Sequence, residues 1–136
     1  YFWWLGASKG ASASLLGIDA ESGTYHVSKR YHAFAAFSRF IRPGAQRFDV
    51  AHDVAGLKVS AFENADGSQV MQLLNTSRAA VSTDIDLRGV PDVYLTDDDH
   101  GLELVDGVAT KAGKGATALE LPARSLVTLV VPPGRR

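Results

Sequence analysis

Side chains that could bind metal ions or phosphate lack the spacing that such sites need. The acidic run Asp97-Asp98-Asp99 has no alternating ligand pattern of a calcium loop and is typical of an ordinary turn. The tripeptide Gly113-Lys114-Gly115 lacks the remaining spacing, and the following Ser or Thr, of a phosphate-binding loop. Metal-ligand spacing is also missing among the four histidines, His26, His32, His52 and His100. We therefore expect no metal site and no cofactor.

Candidate catalytic carboxylates stand alone. Asp53, Glu63 and Glu103 have no sequence partner at a spacing that suggests general acid–base chemistry. The serines do not lie in a nucleophile-elbow pattern. We assign no catalytic residue to this chain.

Two adjacent tryptophans, Trp3 and Trp4, are candidates for sugar binding, because the apolar face of a sugar packs well on an indole. Residues 1–5 are too short for a helix and rich in aromatics, which predicts a buried strand. Successive strand residues point to opposite faces, so only one tryptophan can face a ligand. Ser8 and Lys9, in the small-residue loop 6–14, could reach a sugar hydroxyl or an acidic substituent. The alternatives are two core tryptophans and a solvated loop.

Composition indicates one ordinary soluble globular domain. The chain has 136 residues, 46% apolar and 21% charged, with a net charge of −1 and no Cys. No overall basic field points to nucleic acid, and no thiolate metal site or disulfide framework is possible. No apolar run approaches the roughly 18 residues of a membrane span. The aromatic start suggests a fragment of a longer protein, because natural termini are usually polar.

A short helix is predicted between Ser28 and Gly44. Ser28 is a plausible N-cap, the residues at positions 31, 34, 37 and 41 follow helical spacing, and Pro43-Gly44 stops the helix. Arg39 and Arg42 complement the dipole at its C-terminal end. Because its apolar residues cover most of the circumference, we expect this helix to be covered on more than one side.

From Gln46 onward the apolar residues alternate, which predicts strands. Hairpin turns are predicted at residues 65–68, at Asp106-Gly107 and across residues 122–124. We expect an antiparallel β-sandwich of about seven to nine strands. The predicted strands are residues 47–51, 57–62, 69–74, 80–87, 93–96, 102–105, 108–110, 117–121 and 125–131.

Several segments together resemble the C-terminal part of glycoside hydrolase family 30. They are Trp3-Trp4, Ser28-Lys-Arg-Tyr31, Ser38-Arg-Phe-Ile-Arg-Pro-Gly44, Gln72-Leu-Leu-Asn-Thr-Ser77 and Leu121-Pro-Ala-Arg-Ser-Leu-Val-Thr-Leu129. The resemblance implies that residues 1–44 are the last strand and helix of a truncated (β/α)8 barrel. Residues 45–132 would be its β-sandwich side domain, and residues 133–136 a tail.

The same resemblance implies a secreted retaining glycosidase whose two catalytic Glu residues both precede Tyr1. Trp4 would line the subsite at the cleaved bond, Trp3 would pack against the outer helices, and Ser8 and Lys9 would lie over the barrel mouth. Family members cleave β-1,6-galactan, glucuronoxylan, β-1,6-glucan or glucosylceramide. The loop after Trp4 has no Tyr before Ser14, which weakens the glucuronoxylanase interpretation.

Two functional hypotheses follow. In the first, the chain is the inactive C-terminal fragment of an endo-acting hydrolase of β-linked polysaccharide, with β-1,6-galactan as the favoured substrate and intramolecular packing against the missing barrel. In the second, it is a stand-alone carbohydrate-binding or structural β-sandwich. The first 44 residues discriminate between them, because a self-contained sandwich has no use for an aromatic strand and an all-round apolar helix.

Overall fold

The computed structural model describes residues 3–10, 13–87, 89–111 and 116–134. These residues form one helix, α1 (Lys29–Phe40), and twelve strands. The strands are β1 (Ala7–Lys9), β2 (Leu16–Asp19), β3 (Thr24–Val27), β4 (Gln46–Phe48), β5 (Leu57–Glu63), β6 (Gln69–Asn75), β7 (Val81–Asp86), β8 (Asp92–Thr96), β9 (Gly101–Leu104), β10 (Ala109–Lys111), β11 (Ala116–Leu121) and β12 (Leu126–Val131).

The strand predicted for residues 1–5 is wrong for residues 3–5, which lie outside any strand. Residues 1 and 2 are outside the described part. A barrel strand needs a hydrogen-bonded neighbour along each edge, whereas the described part of the chain supplies residues 3–5 with one backbone–backbone hydrogen bond, from Leu15 N to Leu5 O at 3.1 Å. The chain first enters a sheet at β1, within the segment that we expected to be a loop.

A small three-stranded sheet precedes the helix, in the order β1-β2-β3. β1 runs parallel to β2, and β2 pairs antiparallel with β3. β2 contains the apolar residues Leu16 and Ile18 and is the central strand of this sheet. In the turn after β2, the Asp19 carboxylate accepts hydrogen bonds from Glu21 N at 2.9 Å and from the Ser22 hydroxyl at 2.6 Å.

The helix is confirmed together with its start and stop signals. The Ser28 hydroxyl accepts a hydrogen bond from Tyr31 N at 3.3 Å and so caps the first turn. At the other end, the Asn64 side chain accepts from Arg42 N and donates to Phe40 O, each at 2.9 Å. Gly44 has a φ of 88°, which only glycine adopts readily and which turns the chain into the next strand.

Nine antiparallel strands, β4 to β12, form the predicted sandwich. One sheet has the order β4-β5-β6-β12-β8-β9 and the other the order β10-β11-β7. The core lies between them and includes Leu73, Leu119, Leu121, Val127 and Leu129, all at most 2% exposed. Each such side chain stabilises the fold by about 1.5–3 kcal/mol relative to an exposed position.

Two of the three predicted hairpins are wrong. β9 pairs with β8 and β10 pairs with β11, so Asp106-Gly107 carries the chain from one sheet to the other. β11 and β12 likewise belong to different sheets, and residues 122–125 form a corner between them. Turn residues indicate a change of direction, but they do not specify which strand becomes the partner. The hairpin at residues 65–68 is confirmed by the pairing of β5 with β6.

Helix α1 covers the outer face of the six-stranded sheet, where it contacts β6, β8, β9 and β12. The buried side chain of Gln72 donates a hydrogen bond to Ala36 O at 2.7 Å and accepts one from the Thr128 hydroxyl at 2.7 Å. The opposite face of the helix remains open, because Tyr31 and Phe37 are each 41% exposed. The six-stranded sheet is therefore covered on both sides, whereas the helix is covered on one.

Candidate carbohydrate-binding site

The two tryptophans have different environments. Trp3 is half-buried, its indole N–H donates to Ala13 O at 3.0 Å, and the Arg30 guanidinium lies 5.2 Å from its ring centroid. Trp4 is 96% exposed. Trp3 is thus held towards helix α1, while both faces of the Trp4 indole are open for contact with a ligand.

Ser8 and Lys9 are neighbours on β1 and therefore project from opposite faces of the small sheet. Lys9 is exposed. The Ser8 Oγ is buried and has no hydrogen-bond partner among the described residues. The structure does not bring these two side chains together, so they cannot grip one substrate group jointly.

A further pair of residues, Gly17 and His26, adjoins Ser8 in this sheet. Ser8 is in register with Gly17, and Gly17 is in register with His26. A β-carbon at Gly17 would overlap the imidazole of His26, so the ring lies over the glycine. Sequence reasoning missed His26 because it considered histidine only as a metal ligand, and the register across β2 is not readable from local spacing.

An apolar groove of about 590 Å³ lies along the open side of helix α1. Trp3 forms one wall, Phe62 of β5 contributes another side chain, and Arg30 and Ser38 are its polar members. The remaining lining residues come from the helix: Ala33, Phe34, Phe37 and Ile41. The groove explains why the helical segment is apolar on the face directed away from the sandwich.

The acidic turn at residues 97–99 is organised by hydrogen bonds. Asp97 Oδ1 lies 2.8 Å from His100 Nδ1 and also accepts from the backbone N–H groups of Asp99 and His100. Burial alone would raise the pKa of Asp97, but these hydrogen bonds hold it below its ordinary value. The bond to Asp97 raises the pKa of His100. The turn therefore has a structural role, and Arg124 pairs with exposed Asp98 at 3.1 Å.

The other candidate groups do not converge on a site. Glu63 Oε2 accepts from the Gln69 amide at 3.0 Å, and Glu103 Oε1 accepts from Gly101 N at 3.2 Å. No cluster of three or more His, Asp or Glu side chains suited to a metal ion occurs in residues 3–10, 13–87, 89–111 and 116–134. Residues 113–115 lie outside the described residues. In the described part of the chain, no helix is long enough and apolar enough to cross a bilayer.

The fold defines an antiparallel β-sandwich domain that follows a helix and a small sheet, with an exposed tryptophan before the small sheet. The family model of the glycosyl hydrolase family 30 beta sandwich domain matches residues 44–129. The chain belongs to this family, as the resemblance in the sequence predicted.

Solved structures and a curated relative extend the similarity. The catalytic domain of GH30 xylanase C from Talaromyces cellulolyticus is 34% identical, with a TM-score of 0.79 over 94% of this chain and 29% of that one. A GH30 endoxylanase from Clostridium papyrosolvens C71 is 30% identical, with a TM-score of 0.68 over 85% of this chain and 30% of that one. The Caenorhabditis elegans protein named "Putative glucosylceramidase 1" is 42% identical over 62 residues, 44% of this chain.

This chain spans only a part of each of these relatives. It covers 29% and 30% of the two xylanase chains and 12% of the Caenorhabditis elegans protein. The match to the Talaromyces cellulolyticus catalytic domain nevertheless includes most of residues 1–43, which precede the matched sandwich domain.

Proposed function

We propose that this chain is the C-terminal part of a secreted, retaining, endo-acting glycoside hydrolase that cleaves a β-linked polysaccharide. The observation that supports this most directly is the structural match to a xylanase catalytic domain over 94% of the chain, at 34% identity. That match extends beyond the sandwich into the small sheet and the helix, which a side domain alone would not contain. The favoured substrate is β-1,6-galactan, followed by xylan and β-1,6-glucan.

In this proposal, the chemistry is performed upstream of Tyr1. A retaining hydrolase uses two carboxyl groups about 5–5.5 Å apart, one as acid and base and the other as nucleophile. Among the described residues, we find no pair of carboxyl groups suited to these two roles. Glu63 and Glu103 are engaged in hydrogen bonds of the sandwich. The 136-residue chain alone is accordingly inactive, and its contribution is structural support and one wall of a sugar subsite.

Trp4 is the residue that we assign to that subsite wall. Its 96% exposure supports the assignment, because an indole needs an open face to stack on a sugar ring. Trp3 supports the fold through its contacts with Ala13 and Arg30. The open apolar groove on helix α1 supports packing of the preceding barrel against this side of the chain.

A stand-alone carbohydrate-binding module is the second candidate function, and the exposure of Trp4 also suits it. A binding module would retain affinity for polysaccharide without any preceding segment. The two candidates therefore differ in what the purified 136-residue chain does and in what the full-length gene product adds.

The test compares the 136-residue chain with the full-length product on β-1,6-galactan, xylan and β-1,6-glucan. We expect the full-length protein to release oligosaccharides and the short chain to release none. Proton NMR of the first product should show the anomeric configuration of the substrate. Turnover by the short chain, or inversion by the full-length protein, would contradict the proposal. Binding by the short chain without hydrolysis by the full-length protein would favour the module.

A further inference from the structure

A serine, a glycine and a histidine lie in one row across the three-stranded sheet. Ser8 of β1 is in register with Gly17 of β2, and Gly17 is in register with His26 of β3. Residues in register on neighbouring strands project from the same face of a sheet. Ser8 and His26 therefore share one face, with a position between them that carries no side chain.

Gly17 provides space for the imidazole of His26. The φ angle of Gly17 is not positive, so its backbone conformation does not require glycine. A β-carbon at this position would instead overlap the His26 ring. The imidazole consequently lies over Gly17 and extends towards Ser8. Gly17 is buried beneath the ring, while His26 itself is exposed to solvent.

Of the two polar side chains in this row, Ser8 is buried and lacks a partner in the described part of the chain, whereas His26 is exposed and open to a ligand. The Ser8 Oγ is buried without a hydrogen-bond partner among the described residues. An unpaired buried hydroxyl is destabilising, so a bound state that gives it a partner is favoured. No described residue makes a hydrogen bond with the ring nitrogens of His26. The ring lies over Gly17 of β2, between β1 and β3.

We propose that His26 is a substrate-binding residue of the hydrolase and that Ser8 is its positioning residue. In the bound state, the Ser8 hydroxyl donates to one ring nitrogen of His26, and the other ring N–H donates to a hydroxyl of the sugar. This arrangement satisfies the buried hydroxyl, fixes the tautomer of the imidazole and moves no proton between residues. The inference rests on the proposed function, and it places a polar contact in the sheet that begins three residues after Trp4.

The cationic side chain of β1 does not share this face. Lys9 projects from the opposite face because it follows Ser8 directly in the strand. The neighbouring row contains Asp19 and Thr24, and the Asp19 carboxylate is already engaged with Glu21 N and the Ser22 hydroxyl. The Ser8 hydroxyl and the His26 imidazole are donors and acceptors that fit the hydroxyl groups of a sugar.

The test uses the full-length protein on the polysaccharide that it cleaves and compares His26→Ala with His52→Ala. His52 is also exposed, but it lies outside the small sheet and serves as the matched control. Loss of one or two hydrogen bonds predicts a KM increase of about five-fold for His26→Ala with kcat nearly unchanged. Ser8→Ala should raise KM similarly, and the double variant should add little to either single change, because both residues serve one contact.

Several results would overturn the inference. A KM for His26→Ala equal to that of His52→Ala would exclude a contact with substrate. Additive effects of Ser8→Ala and His26→Ala would exclude the positioning role of Ser8. Thermal unfolding of each variant is measured as well. A higher KM that is accompanied by loss of the folded state would also count against the inference. A full-length protein without hydrolase activity would instead contradict the proposed function itself.

Discussion

At the residue scale, Trp4 combines a large apolar side chain with 96% exposure. Such exposure costs stability unless a partner covers the ring. Its neighbour Trp3 is anchored to Ala13 and Arg30, so the two adjacent indoles cannot exchange roles. In the proposed hydrolase, we therefore expect activity to depend on Trp4 rather than on Trp3.

Replacing Trp4 by Ala in the full-length protein should reduce kcat/KM by roughly 30-fold, which corresponds to about 2 kcal/mol of apolar contact with the sugar. The melting temperature should change little, because the side chain is exposed. Tyr25→Ala is the matched control, since Tyr25 is an aromatic residue of the small sheet with 70% exposure. Equal losses of kcat/KM in both variants would argue against a specific role for Trp4.

The Asp97–His100 pair predicts a dependence of stability on pH. The pKa of His100 is raised above its ordinary value of 6.5, so its contribution is present below pH 6.5 and is lost as the pH rises through the raised value. The pKa of Asp97 is lowered below 3.8, so its contribution is lost as the pH falls through that lowered value. The pair should therefore stabilise the fold most between about pH 4 and pH 6.5.

Urea unfolding of the wild-type chain and of His100→Gln at pH 5.5 and pH 8.5 tests the predicted direction of this pH dependence. The difference in free energy of unfolding between the two proteins should be larger at pH 5.5. His52→Gln, an exposed change outside this turn, is the control variant. A larger difference at pH 8.5 would mean that the neutral imidazole makes the stabilising contact.

At the scale of elements, Gln72 joins helix α1 to the six-stranded sheet. Its side chain is buried, donates to Ala36 O and accepts from the Thr128 hydroxyl, both at 2.7 Å. Gln72 is 2% exposed and Thr128 is fully buried. A helix that lies on polar side chains of a sheet is held in one orientation by the geometry of these hydrogen bonds, which apolar contact alone does not specify.

Gln72→Leu should destabilise the 136-residue chain by about 2–3 kcal/mol, because the buried Thr128 hydroxyl loses its partner. Adding Thr128→Val should recover part of that loss, since both members of the pair are then apolar. Chemical denaturation of the two single variants and the double variant measures the coupling. Strictly additive losses would show that the hydrogen bond does not link the two residues energetically.

At the scale of the whole molecule, the core of the sandwich lies between its two sheets, whereas the side of helix α1 directed away from the sandwich is open. Apart from Trp4, which we assign to sugar binding, large apolar residues before and within helix α1 are exposed: Ile18, Tyr25, Val27, Tyr31 and Phe37. The groove of about 590 Å³ lies on the same side of the chain as Phe37. This distribution fits a surface that the proposed barrel covers in the full-length protein.

Phe37→Glu discriminates between the covered and the open state of this surface. In the 136-residue chain, where Phe37 is 41% exposed, the free energy of unfolding should change by less than about 1 kcal/mol. In the full-length protein, the same change should cost about 3 kcal/mol or more, because it buries a charge in an interface. Glu120→Gln, an exposed change in β11, is the control in both proteins. Equal small effects in both would contradict packing of a barrel against the helix.

The sequence by itself determined those features that depend on neighbouring residues. Ser28 and Pro43-Gly44 determined the ends of the helix, alternation determined the strands from Gln46 onward, and the turn at residues 65–68 determined the first hairpin of the sandwich. The resemblance to family 30 was also readable, because its motifs are contiguous. In each case the relevant contacts lie within a few residues of chain.

Only the tertiary structure decided which strands pair, which tryptophan is exposed and which residues adjoin Ser8. The connection at Asp106-Gly107 crosses between sheets because β9 and β10 each pair with another strand. His26 lies beside Ser8 because the register of three strands places Gly17 between them. Such contacts depend on packing between distant segments, and local spacing does not encode the pairing. Trp3 and Trp4 were recognisable as a pair from the sequence, but their different exposure follows from what each indole contacts.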